Sequence, residues 1–157
     1  MKKVTKELND FARNAGKPEL DLAILAEGNA ATFDRSRNRF LVKASGVFMS
    51  ASKESDWVWL DLDECIEVIE AADRNGISQK LVKRLNEILH AGKTDSGKKK
   101  KASIETLVHA VAFKLLDATW SLHTHPTPVV SLASNKDRKS TRLNSSHIPL
   151  SRMPSSA

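Results

Sequence analysis

The chain has 157 residues with 40% hydrophobic and 28% charged side chains, the size of one globular domain with a modest core. Its formal net charge is +6, but Lys98 to Lys101 and the stretch after residue 136 carry much of that excess, and no element interleaves basic with aromatic residues, which argues against nucleic-acid binding. The N-terminus has no apolar run behind its charges, the longest unbroken apolar stretch is Leu22 to Ala26, and Cys65 is the only cysteine, so a cytoplasmic protein without a membrane span or an intrachain disulfide is expected.

Val4, Leu8, Phe11, Ala12 and Ala15 recur at helical spacing, and Gly16-Lys17-Pro18 supplies a stop, predicting an amphipathic helix over 4–15. Glu27-Gly28-Asn29-Ala30 reads as a turn in which glycine and asparagine can take positive φ, followed by a strand over 31–33. Residues 35–38 are polar, and 39–44 form a second strand ending in Ser45-Gly46, so the two strands make a plausible hairpin. Residues 56–62 are rich in strand formers, and Asp63 suits the N-cap of a helix running to about Ala72 and closed by Asn75-Gly76. Within it Cys65 lies among Ile66, Val68 and Ile69 and reads as a small buried residue.

Ile77, Leu81, Val82, Leu85, Ile88 and Leu89 form an apolar stripe that predicts a further helix ended by Gly92. A flexible basic loop follows over 93–101. Ser103 can then cap a helix whose inner face is Ile104, Leu107, Val108, Val111, Ala112, Leu115 and Leu116, with Glu105 in its first turn. Residues 120–124 read as a strand ended by Pro126 and Pro128. Helices and strands that alternate in this way favour an α/β layered domain with both sheet faces covered.

His123-Thr124-His125-Pro126 stands out. Two histidines one residue apart on an extended segment point the same way, so both imidazoles can hold one metal ion, with a helix-borne carboxylate beside them. The alternative is a pair of strand-end histidines without a ligand. An acidic residue at Glu105 also complements a helix dipole, and His109, four residues on, either joins the site or is a satisfied buried histidine. Gly28-Asn29 and Ser45-Gly46 can offer donors to an anion or serve as ordinary turns.

Taken in order, Glu27-Gly28-Asn29-Ala30, Val42-Lys43-Ala44-Ser45-Gly46, Ser103-Ile104-Glu105-Thr106-Leu107-Val108-His109 and His123-Thr124-His125-Pro126 resemble the class II aldolase/adducin family, over about residues 4–135. The resemblance implies a three-layer α/β/α domain, truncated here, and a zinc-dependent lyase acting on a sugar or sugar-phosphate. The same scaffold also implies two alternatives, an epimerase and a non-catalytic adducin-like interaction module. By position, His123 and His125 match two of three Zn2+ ligands, Glu105 matches the catalytic acid/base, and Gly28, Asn29, Ser45, Gly46 and Ser103 match substrate-binding positions. Such a Glu105 needs a raised pKa, which its neighbours Ile104 and Leu107 could supply by burying it. Ala31, Val47 and Ile104 stand where members often have hydroxyl residues. The family implies a homo-oligomer when complete.

Past Asn135 the composition turns to Ser, Arg, Lys, Asn and Pro without periodicity. Asp137-Arg138-Lys139-Ser140-Thr141-Arg142-Leu143-Asn144-Ser145-Ser146-His147 resembles a translated sequencing-adapter oligonucleotide. The expectation is therefore an incomplete domain over 1–136, inactive for want of a third metal ligand, followed by an artefactual, disordered tail over 137–157 in which His147 plays no part.

Overall fold

The computed structural model describes residues 2–23 and 25–134, so the expectations for 137–157 fall outside the described residues. In chain order the elements are α1 (Lys2–Ala15), β1 (Asn29–Asp34), β2 (Arg39–Lys43), β3 (Trp57–Asp61), α2 (Leu62–Asn75), α3 (Gln79–Ala91), α4 (Thr106–Leu115), β4 (Trp120–His123) and α5 (Thr127–Ser134), with 3₁₀ turns at Pro18–Leu20, Met49–Ala51 and Glu54–Asp56. The strands form one antiparallel sheet in the order β3-β2-β1-β4. The first three run consecutively, and β4 returns beside β1 after the three central helices, a Greek-key order.

The alternation of side chains along each strand divides the core between the two faces. Ala30, Leu41, Trp57 and Trp59 pack with Leu8 and Ala12 of α1 and with Met49. Ala31, Phe33, Phe40, Val42, Val58 and Leu60 face the other way, onto Ile66, Val68, Ile88, Leu89, Ala110 and Phe113 of α2, α3 and α4. This is the layered α/β/α arrangement that the sequence leads one to expect, with the sheet wholly antiparallel. On the α1 side, Asn9 Oδ1 accepts from Trp57 Nε1 and from Ser52 Oγ, both at 3.0 Å, so the polar ends of this apolar layer are satisfied.

Several local expectations are corrected. Asn29 does not sit in a turn but opens β1, and only Gly28 takes a positive φ, of 79°. The cap of α2 is Asp61 rather than Asp63, because the Asp61 carboxylate accepts from the backbone N–H of Asp63 and Glu64. The stripe chosen for α3 is buried only at its C-terminal end, through Ile88 and Leu89, while Ile77 stays 82% exposed before the helix starts. The segment over 93–101 is pinned rather than free: Asp95 accepts from Trp59 Nε1 at 2.8 Å and from Thr5 Oγ1 at 2.7 Å, and Lys100 Nζ donates to Asp56 Oδ1 at 2.7 Å. Beyond Pro126 the chain enters α5, for which Pro128 suits the first turn. Cys65 is buried on α2, and burial pushes its thiol up to about 12, so it is a packing residue with little thiolate character. Among the described residues no helix is long and apolar enough to cross a membrane.

Candidate metal centre

Two elements meet at one end of the sheet, the N-terminus of α4 and the C-terminal end of β4. The pairing of β4 with β1 sets His123 directly opposite Asn29, so both side chains emerge on the α4 face, where Glu105 lies. The chain stays extended past β4, the N–H of His125 donating to the Leu22 carbonyl at 2.9 Å. The two imidazole centroids are therefore 4.7 Å apart. Had the rings pointed in opposing directions, no shared ion could bridge them.

Glu105 occupies the N-cap position of α4, yet its side chain makes no capping hydrogen bond. It turns to the histidines instead: Oε1 lies 3.6 Å from His123 Nδ1 and 3.9 Å from His125 Nε2. The other oxygen, Oε2, accepts from Asn29 Nδ2 at 3.1 Å and from Ser103 Oγ at 2.9 Å. Ser103 thus holds Glu105 rather than capping the helix, and Asn29, itself fully buried, is held in turn through Oδ1, which accepts from Lys43 N at 3.3 Å.

The electrostatics differ from expectation in one respect. Burial tends to raise the Glu105 pKa, but the hydrogen bonds from Asn29 and Ser103, with His123 and Lys43 nearby, outweigh it and hold the carboxyl below its usual range. Ile104, expected to bury Glu105, is 62% exposed. Both oxygens of an ionised Glu105 have a use: one is anchored by two donors, and the other faces the histidines.

His109 is fully buried and its Nδ1 lies 2.8 Å from Ser121 Oγ, which makes it a bolt between α4 and β4, with no hydrogen bond to the Glu105 side chain among the described residues. Burial first, then the neighbouring His123, lower its pKa to about 4, against a partial opposing pull from Glu105. Lys43 is a residue that sequence reasoning missed. It is 1% exposed, and its Nζ donates to the carbonyls of Ala26, at 3.0 Å, and Val47. A lysine in the alternating run of a central strand is the signal that could have found it.

Of the expected substrate positions, the structure gathers Asn29 and Ser103 around Glu105, and Gly28 packs so closely that a Cβ there would lie 3.2 Å from the His123 carbonyl. Ser45 and Gly46 are exposed on the loop after β2, and no hydrogen bond among the described residues joins them to Glu105 or the histidines. Gly46 has φ +75° and open space around it, a backbone conformation that glycine accepts freely.

The donor set fits a divalent ion. One ligand atom each from Glu105, His123 and His125 can be chosen so that all lie within 4.8 Å of one another, and donors around a four-coordinate Zn2+ stand about 3.4 Å apart. Four buried side-chain atoms lack a hydrogen-bond partner among the described residues, Thr106 Oγ1, His109 Nε2, His123 Nδ1 and His125 Nε2, and the last two are the ones that face Glu105 Oε1. Such atoms are costly unless something binds them.

Comparisons with known proteins bear on the fold and the family. An L-fuculose 1-phosphate aldolase has a similar fold, with a TM-score of 0.55, 23% identity, and 83% of this chain and 48% of that chain covered. The N-terminal class II aldolase domain of a conserved protein from Thermoplasma acidophilum aligns with a TM-score of 0.61, 19% identity, and 88% and 62% covered. An L-fuculose-1-phosphate aldolase from Thermus thermophilus aligns with a TM-score of 0.51, 20% identity, and 80% and 50% covered. At these identities the likeness is one of fold, and the chain spans roughly half of the length of these structures. No curated protein matches the sequence. The family model described as "Class II Aldolase and Adducin N-terminal domain" matches residues 10–153, nearly the whole chain, and the protein belongs to that family.

Proposed function

We propose that this chain carries the metal-binding half of a zinc-dependent lyase that cleaves a sugar or sugar-phosphate by a retro-aldol reaction. The observation that carries the reading is the convergence of Glu105, His123 and His125 into one cluster, with the unpartnered nitrogens His123 Nδ1 and His125 Nε2 both turned to Glu105 Oε1. Imidazole nitrogens favour Zn2+, and a centre held by these two histidines leaves coordination positions open for substrate. A bound divalent cation would supply Lewis-acid polarisation of carbonyl and hydroxyl oxygens.

The chain's own residues would do the rest. His123 and His125 hold the ion. Glu105 moves the proton at Oε1, the oxygen turned toward the histidines, while Asn29 and Ser103 fix Oε2 and so fix the direction of the carboxylate. Carbon–carbon cleavage needs a base that removes a hydroxyl proton and an acid that later protonates carbon; the lowered pKa keeps Glu105 ionised and ready as the base, and it would act as the acid only with the proton it has just taken. Gly28, Ser45 and Gly46 are the positions where a phosphate or hydroxyl of substrate would be held, by loop N–H groups and the Ser45 hydroxyl. With only two imidazoles in the cluster, the 157-residue chain is expected to bind metal without efficient turnover.

The test is Zn2+ binding measured by competition with a chromophoric chelator, followed by an aldol-cleavage assay with ketose phosphates. The wild-type chain is expected to bind stoichiometrically, and His123→Ala or His125→Ala to weaken binding by at least about 100-fold, since each removes a ligand. In a protein that turns over, Glu105→Gln is expected to lower kcat by roughly 10²- to 10⁴-fold, the usual contribution of a general acid/base. A chain that takes up no metal under saturating zinc refutes the reading and favours a fold retained only for interaction.

A further inference from the structure

We propose that Glu27 is a positioning residue for His125, an inference that rests on the metal-site reading above. Glu27 Oε2 lies 3.3 Å from His125 Nδ1, while His125 Nε2 faces Glu105 Oε1 at 3.9 Å. The ring is flanked by one carboxylate at each nitrogen. An imidazole that binds a metal through one nitrogen carries its proton on the other, and a carboxylate facing that second nitrogen fixes both the tautomer and the ring orientation. Glu27 therefore keeps the proton on Nδ1 and presents the lone pair of Nε2, the atom left without a partner, to the centre.

Three hydrogen bonds and one close packing contact place Glu27 there. The Leu22 carbonyl accepts from His125 N at 2.9 Å, and Asp21 Oδ1 accepts from Thr127 Oγ1 at 2.7 Å, so the strand-to-helix segment is tied to the start of the Glu27 loop. The Ala26 carbonyl accepts from the buried Lys43 Nζ at 3.0 Å, which fixes the residue just before Glu27. The residue just after it, Gly28, packs against the His123 carbonyl. Glu27 is held on both sides by backbone although its side chain is 58% exposed. An ordinary exposed ion pair would contribute little to stability; here the consequence falls on His125.

Two readouts test this on the full chain. In Glu27→Ala, Zn2+ affinity is expected to fall roughly 10- to 100-fold, the loss typical when a metal ligand's hydrogen-bonding carboxylate is removed. Glu27→Gln, whose amide oxygen still accepts a hydrogen bond, is expected to recover part of that loss. In metal-free protein, long-range proton–nitrogen NMR spectra are expected to show His125 protonated at Nδ1 in the wild type and at Nε2 to a substantial extent in Glu27→Ala. Unchanged Zn2+ affinity in Glu27→Ala overturns the proposal, and so does an unchanged tautomer. If the wild type binds no Zn2+, the metal reading fails, and the tautomer measurement alone decides the role of Glu27.

Discussion

Lys43 has almost no contact with water, and its ammonium group replaces that water with the carbonyls of Ala26 and Val47. Burial pushes its pKa down, and the Glu105 carboxylate opposes that change, so one side chain joins the loop before β1, the loop after β2 and the charge balance of the site. Lys43→Met keeps most of the stem's packing but leaves both carbonyls without their donor. With a lost partner costing on the order of 1–3 kcal/mol for each buried group, partly offset by removal of the buried charge, the variant is expected to lose about 2 kcal/mol. Urea unfolding measures this. A midpoint unchanged from wild type would mean that water already serves those carbonyls.

At the scale of elements, α4 decides how the site meets the core. Its buried residues are Thr106, His109, Ala110 and Phe113, whereas Val108, Leu115 and the preceding Ile104 are 58%, 76% and 62% exposed. Phe113 stacks on Phe33 with centroids 5.5 Å apart and leans on Phe40 at 5.8 Å. Phe113→Ala is therefore expected to cost about 3–5 kcal/mol, as aromatic truncations in cores do, and Val108→Ser to stay within about 0.5 kcal/mol. Thermal or urea unfolding of the two variants checks the assignment, and equal losses would contradict it. This helix also marks the limit of what the sequence reveals. The strands were legible because residues 39–44 and 56–62 are runs of strand formers bounded by polar and turn residues, and the histidine pair was legible because extended geometry alone makes the rings of His123 and His125 converge. Periodicity could not orient α4, since Leu107, Val108, Ala110, Val111, Ala112, Phe113 and Leu115 make it apolar on nearly every side. Its rotation follows two polar residues, His109 reaching Ser121 and Glu105 reaching Asn29, and neither partner is near in the chain. The pinning of Asp95 by Thr5 and Trp59 was hidden for the same reason.

For the whole molecule, the fully buried His109 makes stability depend on pH. Its folded pKa is lowered from 6.5 to about 4, mainly by burial and secondly by His123. Between those two values the unfolded chain binds more protons than the folded one, so stability rises with pH across that window. The contribution is fully present above about pH 6.5 and is lost progressively as the pH falls to about 4. Since each tenfold change in proton affinity is worth about 1.4 kcal/mol, the loss is on the order of 3 kcal/mol. Asp34 and Asp56 titrate in a lower window. Each is held below the usual carboxylate value of 3.8, Asp34 chiefly by its hydrogen bond from Ser36, and Asp56 because Lys100 and the backbone of Lys53 outweigh burial. Their contributions, present above that value, disappear at more acidic pH still. Urea unfolding of metal-free protein at intervals from pH 7 to about pH 4 is expected to show this slope in the wild type. His109→Phe, which keeps an aromatic ring but has no titrating nitrogen, is expected to flatten it by up to one proton even if its absolute stability is lower for want of the Ser121 hydrogen bond. An identical slope in both proteins would mean that His109 is protonated in the folded state, and that the bolt between α4 and β4 is an imidazolium rather than the neutral ring described above.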